Sequence, residues 1–317
     1  MSLSAQGVVV FSGSCLSLPL IVSLQQAGRL AGVVYTISSQ PQQQMDSQQL
    51  LANLQQLGVP ALQYNPTNQD HLLAELDRWR AEIGVVFSFG HLLPASLIDF
   101  FGGLLMNLHA SELPDFRGSM PVYWQMRAGY ERIVLTLHQV AEAADSGAIG
   151  LQHFIDLHPF DTFQSAHIRL MNQAPALVAE ALALLQQGNL QWQPQRELAD
   201  TDSQAPAVKP EDLQLHWDRY SDRQVVAMAR AGNPNFGVNI STFIGPLQLM
   251  QASVSTQPCY GARPGTVLMI DKFRGWVIAT RDGSVSLDVV IHQSGYFSGY
   301  QFAIANGFEA GMVLNSM

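Results

Sequence analysis

The chain has 317 residues, of which 47% are apolar and 13% charged, with a formal net charge of −9 at pH 7. That length exceeds one ordinary core and implies two domains, while the apolar content excludes global disorder. The acidic balance works against binding a polyanion through general electrostatics; the excess of Asp and Glu lies N-terminal to residue 208, beyond which the two signs are equal in number.

The first apolar run, residues 8–11, is too short to span a bilayer and has no basic region before it, so it reads as a buried strand, and neither a membrane nor a secretory signal is expected. Cys15 and Cys259 are far apart and without metal spacing, which points to a reducing compartment, the cytoplasm.

In chain order, residues 7–12 (GVVVFS) read as a strand, Gly13-Ser14 as a tight turn and 16–30 as an amphipathic helix. Gly13-Ser14 lacks both glycine-rich phosphate-loop patterns. Strands expected at 31–37, 60–64, 83–88 and 103–108 alternate with helices at 47–57, 69–82 and 94–100, which implies parallel strands joined by helical crossovers in a Rossmann-like α/β domain. The Gln-rich residues 39–46 read as a loose loop. Strands at 133–140 and 148–156 precede one long helix at about 162–187. Residues 189–212 carry Pro, Asp, Ser and Gln without periodicity and read as a linker. The expected domains are therefore 1–206 and 207–317. After a helix at about 221–231, the second domain offers short strands at 236–243, 246–255, 265–270, 275–280 and 284–290, the pattern of a small OB-like β-barrel. Trp192 and Trp217 flank the linker and are expected to dock the domains.

The chemistry concentrates in 106–118 (MNLHASELPDFRG), where an apolar strand runs into polar side chains. Carboxyl ends of strands face the ligand crevice of an open parallel sheet, and Asn107 and His109, two residues apart, point to one side. Asp145, in the turn sequence ADSGA, can return a carboxylate to the same crevice. Amide, imidazole and carboxylate suit attack by an amine on an acyl carbon: Asn107 and a protonated His109 donate to a developing oxyanion, and Asp145 orients the imidazolium. Arg117 reads equally as a substrate anchor or a tie for its own loop. The other His residues lack the i, i+4 pairing of a zinc motif, so no metal is expected, although His91 could border a cofactor and His138 could line the crevice.

Asn107-Leu108-His109, Ser111-Glu112-Leu113-Pro114 with Gly118, and Asp145 resemble the 10-formyltetrahydrofolate-dependent formyltransferases. Phe11-Ser12-Gly13, 88–94 (SFGHLLP) and Ala231-Gly232-Asn233-Pro234 extend the resemblance over most of the chain and favour the branches acting on methionyl-tRNA and amino sugars. Glu112 departs from the usual Leu of the family motif. The resemblance implies catalytic roles for Asn107, His109 and Asp145. It also implies 10-formyltetrahydrofolate as formyl donor, its pterin against Ser88, Phe89, Gly90, His91, Leu92 and Leu93 on one side and Val140, Ala141, Glu142 and Ala143 on the other, with Leu104 adding to the apolar wall.

For the acceptor, the tRNA-formylating relatives carry a basic loop where this chain has 39–46, and no Lys or Arg occurs between Arg29 and Arg78. Residues 135–138 and 144–149 resemble the amino-sugar enzymes. A small-metabolite amine is therefore expected as partner and nucleic acid is not, with methionyl-tRNA the alternative and a formyltetrahydrofolate hydrolase or an inactive module further rivals. A homodimer is left open.

Overall fold

A computed structural model describes residues 7–39, 41–199 and 202–314. Its elements are β1 (Val8–Ser12), α1 (Leu18–Gln26), β2 (Leu30–Tyr35), α2 (Pro41–Gln56), β3 (Ala61–Gln63), α3 (Gln69–Arg78), β4 (Ile83–Val86), α4 (Ala95–Phe100), β5 (Leu105–His109), α5 (Pro121–Arg127), β6 (Arg132–Gln139), β7 (Ile149–Asp156), α6 (Phe163–Met171) and α7 (Ala174–Gln186). There follow α8 (Asp222–Gly232), β8 (Val238–Thr242), β9 (Gly245–Val254), β10 (Val267–Asp271), β11 (Gly275–Ala279), β12 (Ser284–His292), β13 (Gly295–Ser298) and α9 (Gly299–Ala305). The chain divides into two compact units: residues 1–118, 133–155 and 168–204 form the first, and 119–132, 156–167 and 205–317 the second.

The first unit carries a seven-stranded sheet in the order β3-β2-β1-β4-β5-β6-β7. β1 and β4 are buried along their whole length, as continuous apolar runs covered on both faces must be. Strands β1 to β5 pair in parallel, and β6 runs antiparallel to β5. The strand order reverses between β1 and β4, the place where open α/β sheets form their crevice. Gly13 closes the turn after β1: its N–H donates to the Ser88 carbonyl at 3.0 Å, and a Cβ there would lie 2.4 Å from Thr36 Oγ1. Ser14 caps the following 3₁₀ turn by accepting from Leu16 N, which is the tight turn expected of Gly13-Ser14.

Three expectations need correction. Helix α2 begins on Pro41, so most of the Gln-rich stretch is helical; Pro fits a first helical turn, where its missing N–H has no intrahelical partner anyway. The helix expected over 162–187 is two helices, broken at Asn172-Gln173 ahead of Pro175, whose absent N–H and ring prevent continuation. The Phe163–Gln186 stretch is apolar and long enough to cross a bilayer by composition alone, yet α7 packs on α1 and buries Leu177, Val178, Ala181 and Leu182. The third correction concerns the Trp pair: Trp192 lies on Gly150 within the first unit, and Trp217 is fully buried in the core of the second.

The second unit is an antiparallel sheet in the order β10-β11-β12-β9-β8, with β13 on β12. All five expected strands are present. β13, α5 and α9 were not anticipated: each is short, and Gly and aromatic residues blur their periodicity. Helix α5 packs on α8, burying Val122, Tyr123 and Met126, with Tyr123 edge-on to Phe236.

Candidate active site

Strand β5 brings Asn107 and His109 to its carboxyl end, and β6 places His138 directly across from Asn107. The turn after β6 then returns Asp145 to the same point. Its backbone sits in the left-handed region (φ 53°), which Asp tolerates better than most residues. Gly147 lets this turn lie against β6, since a Cβ there would fall 1.8 Å from the Gln139 carbonyl oxygen.

The four side chains meet at one carboxylate oxygen. Asp145 Oδ1 lies 3.4 Å from Asn107 Nδ2, 3.4 Å from His109 Nδ1 and 3.7 Å from His138 Nε2, while Gly118 N donates to Oδ2 at 3.1 Å. His138 Nδ1 lies 2.7 Å from the Gln139 carbonyl and must carry the proton, so Nε2 is an acceptor, and Asn107 Nδ2 donates to it at 3.1 Å. Burial first, and then the neighbouring His109, push His138 down to about 4, so the ring is neutral at pH 7. Asn107 thus sits between two acceptors and offers each a hydrogen, an arrangement that a flipped amide would turn into two repulsions. His109 faces oxygens on both sides, with Nε2 donating to the Phe116 carbonyl at 3.0 Å. Its side chain is only 7% exposed and that of Asp145 14%, so these interactions are partly screened from water.

The residues of the expected cofactor wall are brought together in part. Phe89, Leu93 and Val140 pack on one apolar cluster that includes Phe11, Tyr64, Phe101 and Leu105. His91 lies against Tyr64 and Phe89, with ring centroids 5.2 and 5.8 Å away. Leu92 is 76% exposed; Ser88, Gly90, Glu142 and Ala143 are exposed, and Leu104 and Ala141 half-buried. Ser88 adopts a positive φ of 53°, turning the chain where the sheet order reverses. Arg117 donates through Nη2 to Gln195 Oε1. Among the described residues no cluster of His, Cys, Asp or Glu could hold a metal ion. A cavity of about 680 Å³ lies in the second unit, lined by Ser253, Lys272, Arg274, Asp288 and Tyr300 among others, and contains none of the convergent groups.

Two residues gain importance that their sequence context understated. His138 left a trace, as one of two polar residues, with Thr136, in the buried and otherwise apolar run of β6, and the strand register sets it across from Asn107. Gln195, in the linker, left none.

The family model for formyl transferases matches residues 6–182, and that for the formyl transferase C-terminal domain matches 207–300. A methionyl-tRNA formyltransferase of Thermotoga maritima is 29% identical over 72% of this chain and 71% of its own. Among solved structures, WlaRD, a sugar 3N-formyl transferase, superposes with a TM-score of 0.64 at 12% identity over 89% of this chain and 96% of its own. HypX from Aquifex aeolicus gives a TM-score of 0.62 at 14% identity over 99% of this chain; the chain spans about half of that protein, 53%. By its sequence matches at both ends and a fold shared with these enzymes, the chain belongs to the formyl transferase family.

Proposed function

We propose that this protein transfers a formyl group from 10-formyltetrahydrofolate to a primary amine, with Asn107, His109 and Asp145 carrying the reaction. The observation behind this reading is the convergence of an amide, an imidazole and a carboxylate on Asp145 Oδ1. The donor fits the residues present: Phe89, Leu93 and Val140 form an apolar face, and the exposed residues Ser88, Gly90, Glu142 and Ala143 offer main-chain donors and acceptors to a flat heterocycle. Bound there, the folate supplies the formyl group.

An attacking amine must lose a proton, and Asp145 is the carboxylate placed to receive it, directly or through water. His109, held between Asp145 and Phe116, donates to the developing oxyanion by exchanging its Nε2 hydrogen bond to the Phe116 carbonyl, and the proton it gives to the departing nitrogen is replaced by the one that Asp145 takes from the amine. Asn107 gives the same oxygen a second donor by exchanging its long 3.4 Å hydrogen bond to Asp145 and keeping the 3.1 Å bond to His138. Neutral His138 remains an acceptor throughout and keeps the amide oriented.

The acceptor we propose is an amine on a small metabolite such as an amino sugar. No Lys or Arg lies between Arg29 and Arg78, the span that includes α2, so this segment offers no fixed cation to the phosphates of a tRNA. Methionyl-tRNA is the second reading, favoured by the names of relatives such as that of Thermotoga maritima. Release of tetrahydrofolate is to be followed with amino sugars and diamines, with charged initiator tRNA, and with no amine. Turnover with a small amine supports the first reading, turnover with the tRNA replaces it by the second, and turnover without any amine makes the protein a hydrolase.

A further inference from the structure

Resting on the formyl-transfer reading above, we infer that Gln195, in the linker after the family's N-terminal segment, is a positioning residue that holds the Asp145 turn and Arg117 in their working arrangement. Both hydrogens of its Nε2 are donated into the turn, to the Asp145 and Gly147 carbonyls, each at 2.8 Å. Its Oε1 accepts from Arg117 Nη2. One amide therefore ties together the two loops that meet at the Asp145 carboxylate, the 116–118 loop through Arg117 and the 145–147 turn through its main chain.

The linker itself is fixed in register. Gln193 and Ile149 exchange a pair of main-chain hydrogen bonds at 2.8 Å, and Trp192 lies on Gly150. Beyond Gln195, the linker grips the first of those loops again: Phe116 N donates to the Ser203 carbonyl at 2.7 Å, and Arg196 pairs with Asp115 and Asp202. Phe116 is the residue whose carbonyl accepts from His109, and it too has a positive φ of 58°. Two non-glycine residues in left-handed backbone, Asp145 and Phe116, are thus each bonded by the same linker. Conformations of this kind persist only where the surroundings over-determine them.

A bland account has Gln195 merely filling a surface gap. The bond pattern distinguishes the two, because both polar atoms of its amide are spent, in three hydrogen bonds, on loop residues that bear on the site, and a glutamine used for solubility would leave them to water.

The test is a double-mutant cycle in the full chain. Gln195→Ala should lower kcat between about ten- and a hundredfold with little change in the folate KM, because displacing a positioned group by about 1 Å costs up to about a hundredfold. Gln195→Glu keeps the partner of Arg117 but turns both donors into acceptors facing carbonyls, and should be as impaired as Gln195→Ala. In an Asp145→Ala background, Gln195→Ala should cost nearly nothing further. Amide exchange across 143–149 should rise in Gln195→Ala with the melting temperature nearly unchanged. Additive losses in the cycle, wild-type activity in Gln195→Glu, or unchanged exchange in that turn would each overturn the inference. A wild-type protein with no turnover on any amine strikes at the formyl-transfer reading instead, and the exchange measurement still decides whether Gln195 holds the turn.

Discussion

Asn107 separates two acceptors, His138 Nε2 and Asp145 Oδ1, that lie 3.7 Å apart and would otherwise repel. Replacing its NH₂ by oxygen, in Asn107→Asp, sets an acceptor against both. The least costly response is for His138 to take up a proton, so its ring should titrate well above its present value of about 4 and transfer should fall by at least about a hundredfold. Ring proton shifts of His138 against pH measure the first effect; a His138 that stays neutral to pH 5 in this variant would contradict the hydrogen-bond assignment. The same histidine makes stability depend on pH. Its folded pKa lies below the unfolded 6.5, so the unfolded state binds more protons between about 4 and 6.5, and stability present above pH 6.5 is lost as the pH falls through that window. His167, also pushed by burial to about 4, adds in the same direction. Melting temperatures should therefore decline from pH 7 to 4.5, and less steeply in His138→Gln. A flat profile would show that neither ring is held neutral.

At the scale of elements, the strands of the first sheet were legible because buried parallel strands are continuous apolar runs, and Val8 to Ser12 and Ile83 to Val86 are such runs. Asn107 and His109 followed from strand alternation and Asp145 from turn composition. What stayed hidden depends on tertiary contacts. Helix α2 starts in a Gln-rich stretch with no apolar stripe until later in its length, and the α6/α7 break needed Pro175 to be weighed above an unbroken Ala/Leu pattern. The fixing of the linker rests on a close approach that only Gly permits: a Cβ on Gly150 would lie 2.7 Å from the Trp192 ring. Gly150→Ala should therefore displace Trp192, destabilise the protein by about 1–3 kcal/mol and loosen the pairing of Gln193 with Ile149. Chemical denaturation with Trp fluorescence reads both effects. An unchanged midpoint would mean that the ring is free to shift aside.

Over the whole molecule, the two compact units are interleaved in sequence, the second taking residues 119–132 and 156–167 from within the segment that precedes the linker. A chain cut after residue 206 should thus leave Val122, Tyr123 and Met126 of α5 without α8, and should associate or melt lower than the full chain. A monomeric fragment with the full chain's melting temperature would contradict this division. Charge acts at the same scale: for this protein of net charge −9, transfer to a small amine should keep a nearly constant rate between about 50 and 200 mM salt, whereas transfer to tRNA should fall steeply. The most direct measurement is tetrahydrofolate release from 10-formyltetrahydrofolate across the amine panel, for the wild type and for Asn107→Ala, His109→Ala and Asp145→Ala. The predicted result is amine-dependent turnover in the wild type, reduced roughly 10²- to 10⁴-fold in each folded variant, with the triple variant little worse than the singles. Near wild-type turnover in folded His109→Ala would contradict the account.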